Sequence, residues 1–149
     1  MYEKTAKAIH QNKIIVIIRG VQTAHIKPLA NALYKGGIRL IEVTFNQKNG
    51  NCGITETAEC IKIMKESTDG HIHVGAGTVL TVGQLHAAAS AGAEYIISPN
   101  VDIDVINATM TWCRTKLMRS EGVLLTILRY QRSTTARKLP CKYMLCNYS

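Results

Sequence analysis

Over residues 1–110, short apolar runs alternate with stretches whose apolar positions recur at helical spacing. Ala6–Gln11 predicts a short leading helix, and Ile14–Arg19 (IIVIIR) a strand. Thr23–Tyr34 predicts a helix closed by Gly36-Gly37, followed by a second strand at Ile38–Phe45 (IRLIEVTF). A Gly/Asn-rich turn leads to a helix from about Ile54 to Glu66, with Ala58, Ile61 and Met64 on one face. His71–Ala76 (HIHVGA) predicts a third strand, Thr81 caps a helix running to Ala91, and Glu94–Ser98 (EYIIS) predicts a fourth strand. Asp102 is placed to cap a further helix toward Met110.

These strands are continuous in Ile and Val instead of alternating with polar residues, which is the pattern of parallel strands buried on both faces. Glycines close the helices before the next strand, as in YKGGI and SAGAE. The class is therefore α/β, with about four βα units; pattern alone leaves a barrel and an open sheet both standing.

From Trp112 the pattern breaks. Residues 112–149 show no clean period beyond Val123–Leu128. The net charge of +8 is carried there: up to Thr111 there are ten Lys/Arg against nine Asp/Glu, and afterwards eight against Glu121 alone. The expected organisation is a folded unit over residues 1–111 and an aberrant basic tail over 112–149, frame-shifted or strongly diverged. The basicity of the tail, with no basic amphipathic helix or nucleic-acid motif, does not make the folded part a nucleic-acid binder. A non-enzymatic remnant or binding protein that uses this tail on polyanions is the alternative reading. Five cysteines (Cys52, Cys60, Cys113, Cys141 and Cys146) show no metal-ligand spacing, so reduced thiols and no metal site are expected. Mean hydropathy is near zero and no apolar run approaches bilayer length. With no signal-peptide pattern at the start, a cytoplasmic protein without membrane partners is expected.

In parallel α/β proteins, ligands bind at the carboxyl ends of the strands. Here those ends are Arg19-Gly20, Thr44-Phe45-Asn46, Gly75-Ala76-Gly77-Thr78 and Ser98-Pro99-Asn100. Glu42 shares a strand face with Leu40 and Thr44, opposite Ile41, Val43 and Phe45. A carboxyl so placed is partly desolvated, its pKa rises unless a cation pairs with it, and it suits general acid/base work. A structural Glu paired with Arg39 or Arg19 is the alternative. VGAGTV either lets backbone N–H groups approach an anion or is simply a tight βα turn, and it lacks the third glycine of a dinucleotide fingerprint. Thr78 either binds a carboxylate or stabilises that turn. Arg19 is either an anion clamp or a solvated strand-end residue. His71 and His73 share a face but lie at the opposite strand end, where a structural role is expected; His25 and His86 read as solvated helix residues.

IIVIIRG, ALYKGGIRLIEVTFNQ, VGAGTVLTVGQLHAAASAGAEYIISPN and VDIDVI together resemble the 2-keto-3-deoxy-6-phosphogluconate / 4-hydroxy-2-oxoglutarate aldolases, over about residues 10–110. The resemblance implies an incomplete (β/α)8 TIM barrel and a class I lyase with no cofactor. A lysine Schiff base would cleave a 2-keto acid to pyruvate and an aldehyde, in a homo-oligomer that is a trimer in the family. It makes Glu42 the general acid/base and Thr78 a contact of the pyruvate carboxylate. It also brings Gly77 and Pro99 to the same pocket as backbone walls. Asn46 stands where many members carry a substrate-binding Arg, which leaves Arg19 as the carboxylate clamp. The family's lysine lies on a sixth strand; Lys138, in ARKLP, is a faint counterpart with a polar approach.

Overall fold

The computed structural model describes residues 3–118 and 124–127. Its elements in chain order are α1 (Glu3–Asn12), β1 (Val16–Ile18), α2 (Thr23–Lys35), β2 (Leu40–Thr44), α3 (Gly50–Glu66), β3 (His73–Gly77), α4 (Val82–Ser90), β4 (Tyr95–Ser98), α5 (Ile103–Met118) and β5 (Leu124–Ile127). The strands form one parallel sheet in the order β1-β2-β3-β4-β5, each new strand added beside the last. Helices α2 to α5 pack in the same succession, each against the next. A doubly wound sheet would reverse its strand order at a switch point. An unreversed order with successive helices in one layer is the wall of a β/α barrel. The choice that periodicity left open is thereby decided.

The two faces of the sheet have different chemistry. Ile18, Ile41, Val43, Val74, Ala76 and Ile96 face the helices and join Ile26, Ile61, Met64 and Leu85 in the main core. On the other face Leu40, Tyr95 and Ile97 form a second cluster with Ala8. Helix α1 therefore closes the inner face toward the amino-terminal ends of the strands. Glu42 and Thr44 are buried toward the opposite ends, where the inner face turns polar.

Two elements differ from the sequence reading. Helix α3 begins at Gly50, not near Ile54, and follows directly on a 3-10 turn at Gln47–Asn49. Asn46 caps that turn, its side chain accepting the Lys48 N–H at 3.1 Å. Helix α5 runs past the expected end near Met110, and past the compositional break at Trp112, to Met118; β5 then pairs with β4. Cys113, one residue inside the supposed tail, is buried. Among the described residues the chain thus continues past the break in charge as helix to Met118 and adds a fifth strand at Leu124–Ile127. Asp102 and Thr81 cap their helices as predicted: Asp102 Oδ1 accepts from Asp104 N and Val105 N, and Thr81 Oγ1 from Gln84 N. No helix among the described residues is long and apolar enough to cross a membrane.

Candidate active site

The inner face at the carboxyl rim is organised around Glu42, which is 6% exposed. Strand register places it between Ile17 and Gly75. Thr44, two residues on and on the same face, donates its hydroxyl to Glu42 Oε1 at 3.0 Å. Burial pushes the Glu42 carboxyl above its ordinary range; the Thr44 hydrogen bond and the positive charge of Arg19 oppose that rise. Arg39 does not pair with it, donating instead to the carbonyls of Tyr34 and Ile38 and lying over the Tyr34 ring. A carboxyl held this way keeps its proton to higher pH than an exposed one, which suits it to both deliver and accept a proton.

Room for these side chains comes from β3. A Cβ at residue 77 would collide with the Glu42 carboxyl, and one at residue 75 with the ring of Tyr95. Gly75 and Gly77 lie inside the strand and are buried. The VGAG glycines therefore make recesses in the inner face, and the turn itself begins one residue later. Tyr95 fills its recess completely and donates its hydroxyl to the Ile41 carbonyl at 2.8 Å.

That turn opens on Thr78, which has φ 54°. A β-branched residue in the left-handed region is strained, and such strain concentrates at functional sites. Arg19, just past β1 and exposed, donates from Nη2 to Thr78 Oγ1 at 3.1 Å. The structure thus joins Glu42, Thr44 and Gly77 in one group and Arg19 with Thr78 in another, close enough that the Arg19 charge acts on Glu42. Asn46 is engaged as a cap, and Pro99 is exposed directly after β4 on the same rim. Lys138 lies outside the described residues.

Sequence reading missed Gln47 and Gln84. Gln47 donates from Nε2 to the Thr78 carbonyl at 2.9 Å, and Gln84 donates from Nε2 to Gln47 Oε1 at 2.9 Å. Gln84 is buried on an otherwise apolar helix face, which was the available signal. Tyr95 was also missed; its signal was the pair of alternate glycines, which leave a same-face gap for a large neighbour.

The remaining candidates are structural. His73 Nδ1 lies 2.6 Å from Glu94 Oε2, Glu94 also pairs with Lys65, and His71 stacks on Tyr34. His25 and His86 are exposed. No group of metal-ligating side chains occurs among the described residues. A small cleft near the carboxyl ends of β1 and β2 is lined by Ile18, Gly20, Val21, Ile26, Val43, Thr44, Asn46, Glu56, Thr57 and Cys60. Burial, with Glu56 and Glu59 nearby, pushes the Cys60 thiol up to about 11, so it is no nucleophile at neutral pH.

Comparison with known proteins bears on the family and the fold. Residues 5–120 match the family described as "Aldolase: KDPG and KHG aldolase". The 2-dehydro-3-deoxy-phosphogluconate aldolase of Treponema pallidum (strain Nichols) is 37% identical over 101 residues, 67% of this chain and 44% of that protein. The same enzyme of Zymomonas mobilis (strain ZM4) is 40% identical over 91 residues, 61% of this chain and 38% of that protein. Among solved structures, the Zymomonas mobilis ZM4 aldolase with 3-phosphoglycerate superposes with a TM-score of 0.60 at 28% identity, covering 84% of this chain and 52% of that one. The aldolase of Legionella pneumophila, with pyruvate captured as a covalent carbinolamine, gives 0.56 at 27% identity, covering 74% and 47%. The chain spans about half the length of these relatives.

Proposed function

Because the chain belongs to the KDPG and KHG aldolase family, we propose that it carries the acid/base side of a class I aldolase site. The reaction would cleave a small 2-keto acid to pyruvate and an aldehyde, in the cytoplasm, in a homo-oligomer of the trimeric kind. The observation that carries this reading is the buried Glu42 carboxyl in the Gly77 recess, with a raised pKa and the Arg19–Thr78 pair nearby.

In this reading Glu42 takes the proton from the substrate hydroxyl as the carbon–carbon bond breaks and returns it to the pyruvate methylene carbon. Arg19 and the Thr78 hydroxyl hold the carboxylate of the keto acid. The backbone at Gly77 and Pro99 shapes the pocket, and Asn46 flanks it from the end of β2 without the charge of an arginine. The Schiff base needs a lysine, and β1 to β5 contain none. In this reading the amine comes from outside these strands, with Lys138 as a candidate; its polar approach lacks the apolar strand around the family's lysine, which supports an impaired rate.

The test is reduction by borohydride in the presence of pyruvate, followed by mass spectrometry of the folded protein. The expected result is a pyruvate adduct on a lysine outside β1–β5, formed more slowly than in a full-length relative. A folded protein with no adduct on any lysine contradicts the catalytic reading.

A further inference from the structure

Thr78 is strained by its backbone and yet sits where a carboxylate is to be held. Its neighbours on both sides are tied to the sheet: Phe45 N–H donates to the Gly77 carbonyl at 2.9 Å, and Val79 N–H to the Ile97 carbonyl at 3.2 Å. Thr78 itself, with φ 54°, lies just past the last residue of β3. Its carbonyl accepts from Gln47 Nε2. Gln47 comes from the turn after β2, so this contact ties two loops of the rim together.

The direction of that contact is fixed by a chain of donors. Leu80 N–H can only donate, and it donates to Gln84 Oε1 at 2.7 Å. Gln84 must then present its Nε2, which donates to Gln47 Oε1 at 2.9 Å. Gln47 in turn has only its own Nε2 left for the Thr78 carbonyl. Gln84 is 5% exposed, so water cannot readily substitute for a lost partner.

From this geometry we infer that Gln84 and Gln47 form a directional amide relay that holds Thr78 left-handed, making both of them positioning residues for the carboxylate-binding hydroxyl. The relay rests on the functional reading above for its purpose, though not for its existence. Its consequence is that the polarity of a buried side chain on α4 controls affinity for the carboxylate at the rim.

The test reverses that polarity. In Gln84→Glu the Leu80 N–H keeps an acceptor, but the second carboxylate oxygen now faces Gln47 Oε1. Gln47, an exposed residue, either turns its NH2 toward residue 84 and its oxygen toward the Thr78 carbonyl, where two acceptors meet, or leaves for solvent; both take its donor from that carbonyl. Adding Gln47→Lys restores a donor to both, because the ammonium can donate to the new carboxylate at position 84 and to the Thr78 carbonyl together. Pyruvate affinity of the full chain is the readout, with thermal midpoints measured alongside. Gln84→Glu is expected to weaken pyruvate about tenfold, and the double variant to recover most of that loss. Recovery in the pair is what a general packing role would not produce. A folded Gln84→Glu protein that binds pyruvate unchanged, or a folded double variant no better than the single one, overturns the relay. If the unaltered protein does not bind pyruvate, the functional reading fails and the relay is judged by crystallography. Thr78 should leave the left-handed region in Gln84→Glu and return to it in the double variant; an unchanged φ overturns it. If the single variant does not fold, a folded double variant with Thr78 left-handed supports the relay, and loss of folding in both overturns it.

Discussion

The carboxyl of Glu42 occupies the space that a side chain at residue 77 would need, so Gly77, the register partner of Thr44 on the adjacent strand, makes the room for Glu42. The pairing requires a glycine for close approach and not for backbone freedom, since Gly77 has no positive φ. Gly77→Ala is expected to push Glu42 out of its recess, destabilising the fold by about 1–3 kcal/mol and lowering pyruvate trapping more than the stability loss explains. Denaturant unfolding beside trapping rate checks both parts.

The raised pKa of Glu42 has a consequence for stability. Its unfolded carboxyl titrates near the ordinary 4.5, and the folded one higher. As pH rises through that interval the unfolded chain loses its proton first, so stability falls, and the full penalty is present above the folded pKa. Glu42→Gln is expected to remove this pH dependence and to gain in stability relative to the parent as pH increases. Arg19→Met should move the Glu42 titration, followed by carboxyl carbon NMR, further upward, because the Arg19 charge opposes the rise.

Thr78 separates strain from chemistry. Thr78→Ala and Thr78→Gly both delete the hydroxyl that Arg19 reaches, but only glycine tolerates φ 54° without cost. Both variants should bind pyruvate more weakly, while the glycine variant is more stable than the alanine variant by about 1 kcal/mol. Equal stabilities in thermal unfolding would contradict the strain.

Tyr95 is a support with no part in the chemistry. Tyr95→Phe keeps the ring in the Gly75 recess and removes the hydrogen bond to the Ile41 carbonyl. A loss of about 1–2 kcal/mol is expected, read by denaturant unfolding, with pyruvate trapping unchanged once folded.

Much of the fold was legible because its signals are local. Continuous Ile/Val strands, the Thr81 and Asp102 caps and the face shared by Leu40, Glu42 and Thr44 follow from periodicity and cap chemistry. The start of α3 was missed because Gly50, Asn51 and Gly53 have poor intrinsic helix propensity, which the preceding 3-10 turn and tertiary packing override. The run of α5 past Trp112 was missed because the charge balance shifts there, while Cys113 is still buried. The site was legible only in part. Glu42, Arg19 and Thr78 stand out singly at strand ends, whereas the reason for Gly75 and Gly77 lies on neighbouring strands. The Gln84–Gln47–Thr78 contacts join residues 31 and 37 positions apart, a separation no local pattern encodes.

The role of Glu42 is tested most directly by the methyl protons of pyruvate in deuterium oxide, followed by proton NMR with the full chain and with Glu42→Gln. Exchange above the buffer background is expected for the parent, falling at least about a hundredfold in Glu42→Gln while the borohydride-trapped adduct persists. Exchange at the parental rate in a folded Glu42→Gln protein, or none in a parent that does form the adduct, would show that another group moves the proton.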